Sequence, residues 1–246
     1  MASIKKRGAR WYARYRDDTG HEHAQRFDRK VDAQRWIDEA TTALVTGQYV
    51  DPRAGRVTMC ECAEAWRLAA PHAPTMRDKV QRTLKLHIYP TLGDLPVSAV
   101  RPSAVQSWVS GLPLAPSSAK VALGYLSSVF RAAVRDRRVA ANPCDGVSVA
   151  PARRCEVWIP DLATVQALRQ QLPERYRAVV DLVAGSGMRQ GEVFGLEVDG
   201  VTFLGSRVVS VHQQLVCLSP HPPYLDEVKS EASQRVIPLA TVTTDA

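Results

Sequence analysis

The stretch A-G-S-G-M-R-Q-G-E-V-F-G-L, from Ala184 to Leu196, sets one arginine in a frame of glycines between two helical patterns. Asp161 can cap a helix to about Gln171, and a second runs from Arg175 to Ala184 before Gly185-Ser-Gly closes it. A third restarts from Gly191 to Leu196. An arginine in such a turn meets free helix-end amides and close backbone approach. Its planar fork grips two phosphate oxygens better than a lysine does. A Gly-x-Arg turn also serves as a plain helix cap, so the stretch alone leaves both readings open.

Downstream the periodicity becomes that of strands, at Arg207-Val-Val-Ser-Val, Gln214-Leu-Val-Cys-Leu and Arg235-Val-Ile-Pro-Leu. The string K-S-E-A-S-Q-R-V-I-P-L covers Lys229 to Leu239. A lysine in the turn of a β-hairpin can reach over a bound phosphodiester and protonate a leaving alkoxide. Taken alone, Lys229 reads as a solvated surface charge.

Upstream, R-W-Y-A-R-Y-R places Trp11, Ala13 and Tyr15 on one face of a strand, and Tyr12, Arg14 and Arg16 on the other. Asp18-Thr-Gly supplies a turn, a second strand runs to about Phe27, and a short helix from Asp32 puts Trp36 and Ala40 on one side. Strands with a basic face can lie in a major groove; a solvated basic hairpin is the alternative. Gly47 to Arg56 has a linker's Pro and Gly content.

Four helices follow. Thr58 and Glu61 form a capping box, with Cys62, Ala65, Trp66 and Ala69 as the apolar stripe. The second helix opens at Pro74 and ends at Tyr89-Pro90, the turn Leu92-Gly-Asp-Leu-Pro follows, and the third begins at Pro102. The longest, Ser117 to Arg137, turns Val121, Tyr125, Leu126, Val129, Ala133 and Val134 inward, and Asn142-Pro143 stops it. Arg131, Arg135, Arg137 and Arg138 gather at its end. A second linker is expected at Ala150-Pro-Ala-Arg-Arg.

Charge is unevenly spread. Residues 1–56 carry 12 Lys/Arg against 8 Asp/Glu, residues 57–155 carry 13 against 6, and residues 156–246 carry 7 against 11. The excess cations lie in the first two thirds, as on a polyanion-binding surface. The five cysteines have no zinc-ligand spacing, so neither metal nor disulfide is expected. The start lacks a secretory apolar core and no run of about 18 apolar residues occurs, which predicts a cytoplasmic protein with no membrane partner.

In this order the two strings resemble the catalytic domain of the tyrosine recombinases, the phage integrase family. Its arginine motif maps onto Gly187, Met188, Arg189, Gly191, Glu192 and Leu196, and its lysine motif onto Lys229, Ser233, Arg235, Pro238 and Leu239. H-I-Y-P-T-L-G-D-L-P-V and the Ser117–Arg137 helix look like the helical core-site-binding domain. W-Y-A-R-Y-R-D with D-A-Q-R-W looks like the arm-site-binding domain of actinobacteriophage integrases.

The resemblance implies an α+β multidomain chain. Residues 1–55 would form a small sheet-plus-helix arm-type DNA-binding domain, residues 56–150 an all-α, SAM-like core-type domain, and residues 151–246 part of a mainly-α catalytic domain with a β-hairpin. It further implies that Arg189 polarises the scissile phosphate, Lys229 is general acid, and Glu192 orients Arg189 from behind. Arg10, Arg14, Arg16, Arg131, Arg135 and Arg137 would contact DNA. The partner would be double-stranded attachment-site DNA, with self-association on it, no small-molecule substrate, no cofactor and no metal.

The family's His-x-x-Arg motif and later nucleophilic tyrosine have no counterpart here. His23 and Arg26 are so spaced, but in the N-terminal hairpin, and no tyrosine follows Lys229. The 246 residues are therefore expected to bind DNA without cleaving it alone, and to leave an apolar face of the partial catalytic domain uncovered. A non-enzymatic DNA-binding regulator or excision-type factor is the alternative, although neither needs the Arg189 and Lys229 motifs.

Overall fold

The computed structural model describes residues 2–17, 20–46, 49–51, 53–151, 156–202, 207–219 and 221–239. These form two compact units, divided between Arg154 and Cys155. The expected turn residues Asp18 and Thr19, linker residues Gly47, Gln48, Pro52 and 152–154, and the terminal Thr243-Thr-Asp-Ala lie outside the described residues.

The first unit opens with an antiparallel sheet of β1 (Ser3–Arg7), β2 (Arg10–Arg16) and β3 (Glu22–Phe27), in that order. β1 is an addition to the two strands read from sequence, made possible by the tight turn at Gly8, whose φ is 61°. Ala13 packs on Ala33 and Ile37 of α1 (Lys30–Val45), and the Tyr15 ring lies against Trp36 of the same helix, as the period-2 and period-3.6 patterns require. The Gly47–Arg56 segment is more than a linker. Tyr49 is buried with its hydroxyl 3.0 Å from that of Tyr15, because its ring packs edge-on against Tyr15 and His23. Further along, the carbonyl of Gly55 accepts from Ser98 Oγ at 2.8 Å.

The helical part comprises α2 (Met59–Ala69), α3 (Pro74–Thr83), α4 (Tyr89–Leu92), α5 (Pro102–Ser110) and α6 (Pro116–Arg135). Thr58 and Glu61 close the expected capping box at the start of α2. The buried face of α2 is Met59, Cys62 and Ala63; Ala65 and Ala69 face outward, which corrects the expected stripe by about one residue. The second helix does not end at Pro90. A π-helical turn at Leu84–Ile88 lets the Tyr89 N–H reach the Leu84 carbonyl, and the chain stays helical through Pro90 to Leu92. The extra residue in that turn accommodates a proline that has no N–H to donate.

The inward face of α6 is Ala119, Ala122, Leu126, Val129, Phe130 and Ala133. Val121 is exposed and Val134 only half-buried, so Phe130 takes the central place that the sequence reading gave to them. α6 ends at Arg135, before Asn142, and Arg137 turns the chain with a left-handed φ of 52°. Asn142 instead organises the return, its side chain accepting from Cys144 N and donating to Ser127 Oγ.

The second unit holds α7 (Leu162–Gln171), α8 (Glu174–Ser186) and α9 (Gln190–Phe194), then β4 (Val201–Thr202), β5 (Val208–Val211), β6 (Gln213–Val216), β7 (Tyr224–Glu227) and β8 (Arg235–Pro238). β4, β5 and β8 make one antiparallel sheet and β6 and β7 a hairpin. Met188, Val193, Val209, Val211, Val228 and Leu239 form its core. α7 and α8 bury no residue fully, and Trp158, Ile159, Leu162 and Leu168 are largely exposed.

The glycines around α9 explain its place. A Cβ on Gly195 would lie 2.7 Å from Gln214 Cα and from Leu215 N, and one on Gly191 would lie 3.1 Å from the Leu215 carbonyl oxygen. The helix therefore presses its backbone onto β6, which only glycine permits. Gly195→Ala is expected to destabilise the protein by about 1–3 kcal/mol through overpacking against backbone. Gly124→Ala in α6, where an added Cβ meets nothing within 4 Å, is expected to stabilise by about 0.4–1 kcal/mol. Chemical denaturation of the two variants beside the parent checks both signs.

Candidate nucleic-acid interface and phosphate site

Arg189 follows Gly187, whose φ of 66° ends α8 in the left-handed region, and it is the N-cap residue of α9. Its side chain is 71% exposed, yet its position is anchored from within. Glu192, 2% exposed, accepts the Arg189 backbone N–H on Oε2 and the guanidinium Nη1 on Oε1, both at 2.8 Å. A second guanidinium grips the same carboxylate: Arg235 Nη2 donates to Oε2 at 2.8 Å and Nη1 to Oε1 at 3.2 Å. Arg235 Nη1 also donates to the Ser233 carbonyl at 2.9 Å. The Arg235 pair comes first among the forces that hold the Glu192 carboxyl down at about 2, with the Arg189 bonds adding to it and burial opposing.

The sequence reading assigned no role to Arg235. Its signal was present in the S-x-R-x-V-P-L string, but only the pairing of β5 with β8, Val211 opposite Arg235, carries it back towards α9. Lys229 is placed differently from expectation. The hairpin is β6–β7, whereas Lys229 lies beyond β7 in the connection to β8. The two strands flanking it pair with different halves of the β5–β6 run, so its loop is a crossover between two sheets. That loop is tethered by buried Val228, whose N–H meets the His212 carbonyl, and by the Ser230 and Ser233 hydroxyls at 3.0 Å. Lys229 is exposed and has no hydrogen-bond or ion-pair partner among the described residues.

In the first unit, Arg10, Arg14 and Arg16 lie with Tyr12 on the sheet face opposite α1. The register adds Lys5, Arg7 and Arg26 to that face, residues that single-strand periodicity did not single out. Arg7 and Arg26 flank the Tyr12 ring at 5.4 and 5.1 Å. Glu22 partly offsets Arg14 and Arg16, at 3.6 and 3.7 Å, and Asp28 offsets Arg10 at 3.2 Å. Arg131, Arg135 and Arg137 are exposed around the C-terminal end of α6, where cations also favour the helix dipole. Arg131 donates to Ser128 Oγ at 2.8 Å. Among the described residues no cluster of His, Cys, Asp or Glu is arranged to hold a metal ion.

The mixed α/β chain, with its helical unit and small antiparallel sheets, shares its fold with solved integrases. Residues 59–150 match the phage integrase central domain. The integrase of Mycobacterium phage D29 is 28% identical over 176 residues, covering 68% of this chain and 46% of the relative. That of Mycobacterium phage L5 is 26% identical over 194 residues, covering 75% and 52%. The chain thus spans about half the length of the curated relatives it matches. Among solved structures, the Tn1549 transposon integrase in complex with a circular intermediate DNA superposes with a TM-score of 0.67 at 19% identity, covering 76% of this chain and 63% of that one. A lambda integrase tetramer bound to a Holliday junction gives 0.55 at 17%, covering 91% and 68%. The chain is thus similar in sequence to mycobacteriophage integrases over these stretches and shares the fold of the Tn1549 and lambda integrases.

The depressed Glu192 carboxyl makes stability depend on acid. A group with a lowered folded-state pKa contributes stability that is present above its unfolded value and lost as pH falls through the folded one. Glu192→Gln is expected to lower unfolding free energy by about 1–3 kcal/mol near neutrality. The deficit should shrink between pH 4.5 and 2, the span between the ordinary and the held value. Urea melts of parent and variant across that range measure it.

Proposed function

We propose that this chain is the DNA-recognition portion of a phage-type integrase, binding double-stranded attachment-site DNA and self-associating on it in the cytoplasm of a bacterial host. The observation that carries this reading is the exposed Arg189 guanidinium held on buried Glu192. It is a rigid, outward-facing donor fork of the kind that clamps a phosphate.

Support comes from the 25 Lys/Arg against 14 Asp/Glu over residues 1–155, and from the Tn1549 and lambda integrases, whose structures were solved on DNA. In this reading residues 1–55 engage arm-type sequence through Arg10, Arg14 and Arg16. Residues 56–150 engage core-type sequence, with Arg131, Arg135 and Arg137 on phosphates. Residues 151–246 place Arg189 on the scissile phosphate, with Lys229 as the proton donor to the leaving oxygen and Glu192 orienting Arg189. No metal or cofactor enters, because a phosphotyrosyl link conserves the energy of the broken phosphodiester. The 246 residues supply no tyrosine after Lys229, so they bind without cutting.

Fluorescence anisotropy on phage attachment-site duplex should show binding that weakens steeply with salt, log K falling by about 0.9 per neutralised phosphate for each tenfold rise in salt. Absent or salt-independent binding would remove the DNA-recognition reading. A nicked suicide duplex run on a denaturing gel should show no protein-linked band. A covalent band from the 246-residue chain alone would show that one of its own residues, Tyr224 first among them, serves as nucleophile.

A further inference from the structure

The Glu192 carboxylate has four hydrogen bonds from two arginines: Arg189 through its backbone N–H and Nη1, and Arg235 through Nη1 and Nη2. A carboxylate offers about four acceptor directions, so this one is fully subscribed. At 2% exposure it has no water to exchange for a lost partner. The two arginines nevertheless face different surroundings. Arg189 is 71% exposed, with only Nη1 of its guanidinium committed to Glu192. Arg235 is 30% exposed and spends its Nη groups on Glu192 and on the Ser233 carbonyl, within the loop that carries Lys229. Arg235 is thus built to hold other groups rather than to take a ligand itself.

We propose that Arg235 is a positioning residue: its forked bond to Glu192 aims the Arg189 guanidinium at a phosphate, and its bond to Ser233 holds the Lys229 loop to the same carboxylate. This rests on the reading of Arg189 as a phosphate ligand. The requirement is for a planar fork. A lysine would keep the charge at residue 235 but could not make two parallel bonds and reach Ser233 as well.

The test uses the 246-residue chain, arginine side-chain NMR and inorganic phosphate as the probe, with Arg189→Gln identifying the Arg189 signals. Phosphate should shift those signals in the parent. In Arg235→Lys the phosphate affinity read from them should fall by about tenfold, the loss of roughly one charge-assisted hydrogen bond. The Glu192 carboxyl should titrate higher in that variant. Glu192→Gln should show the same loss, and Arg235→Lys combined with Glu192→Gln should show no more than either alone. Glu192→Gln carries the test if Arg235→Lys does not fold. A variant with lowered melting temperature but unchanged phosphate affinity at Arg189 would make Arg235 merely structural and overturn the proposal. So would additive losses in the double variant. A parent whose Arg189 signals ignore phosphate would overturn the phosphate role of Arg189 and this inference together. Failure of the attachment-site binding experiment is a separate result, read from intact duplex.

Discussion

A carboxylate shut away from water between two guanidinium groups governs the second half of this molecule. Burying Glu192 alone would be costly, since a charged oxygen loses its hydration. Arg189 and Arg235 offset that cost with short charge-assisted bonds, and the low local dielectric strengthens each of them. The consequence is positional. Two stretches that are 43 residues apart in the chain are held to one pair of oxygen atoms. The turn after α8, the short helix α9 and the start of β8 all take their places around that point.

The packing beneath it is as constrained as the polar bonds above. α9 is only five residues long and could not persist on its own hydrogen bonds. It is kept in place by Val193 in the small apolar core and by Gly191 and Gly195, which let its backbone settle on β6. The glycines of the Ala184–Leu196 stretch therefore do two different things. Gly187 allows a left-handed turn, whereas Gly191 and Gly195 allow close approach.

The first unit uses charge in the opposite way. Its cations stay on the surface, where hydration makes each inexpensive and ion pairing weak. On the outer face of the N-terminal sheet, Lys5, Arg7, Arg10, Arg14, Arg16 and Arg26 surround Tyr12, while Ala13 and Tyr15 hold the inner face on α1. The same alternation that builds the small core thus displays the basic face. Tyr49 extends this order into the following segment, because a large ring gains more from burial against Tyr15 than a flexible chain gains from freedom.

Much of this was determined locally and so could be read from the sequence alone. The capping box at Thr58, the proline opening α5, the Asp161 cap and the alternation in β2 each depend on neighbours within a few residues. The mapping of Arg189, Glu192 and Lys229 onto two ordered motifs came instead from the resemblance of those two strings to a known family. Tertiary structure decided the rest. The phase of α6, centred on Phe130, depends on which helices face it. The passage of α3 and α4 through Pro90 depends on a π turn that no short pattern announces. The packing of Tyr49 requires a sheet from another stretch of chain. Above all, Arg235 became the partner of Glu192 only when β8 paired with β5 and turned its first side chain towards α9. A local pattern specifies what a residue can bond to, but a buried carboxylate takes its partners from whatever the folded chain brings within about 3 Å.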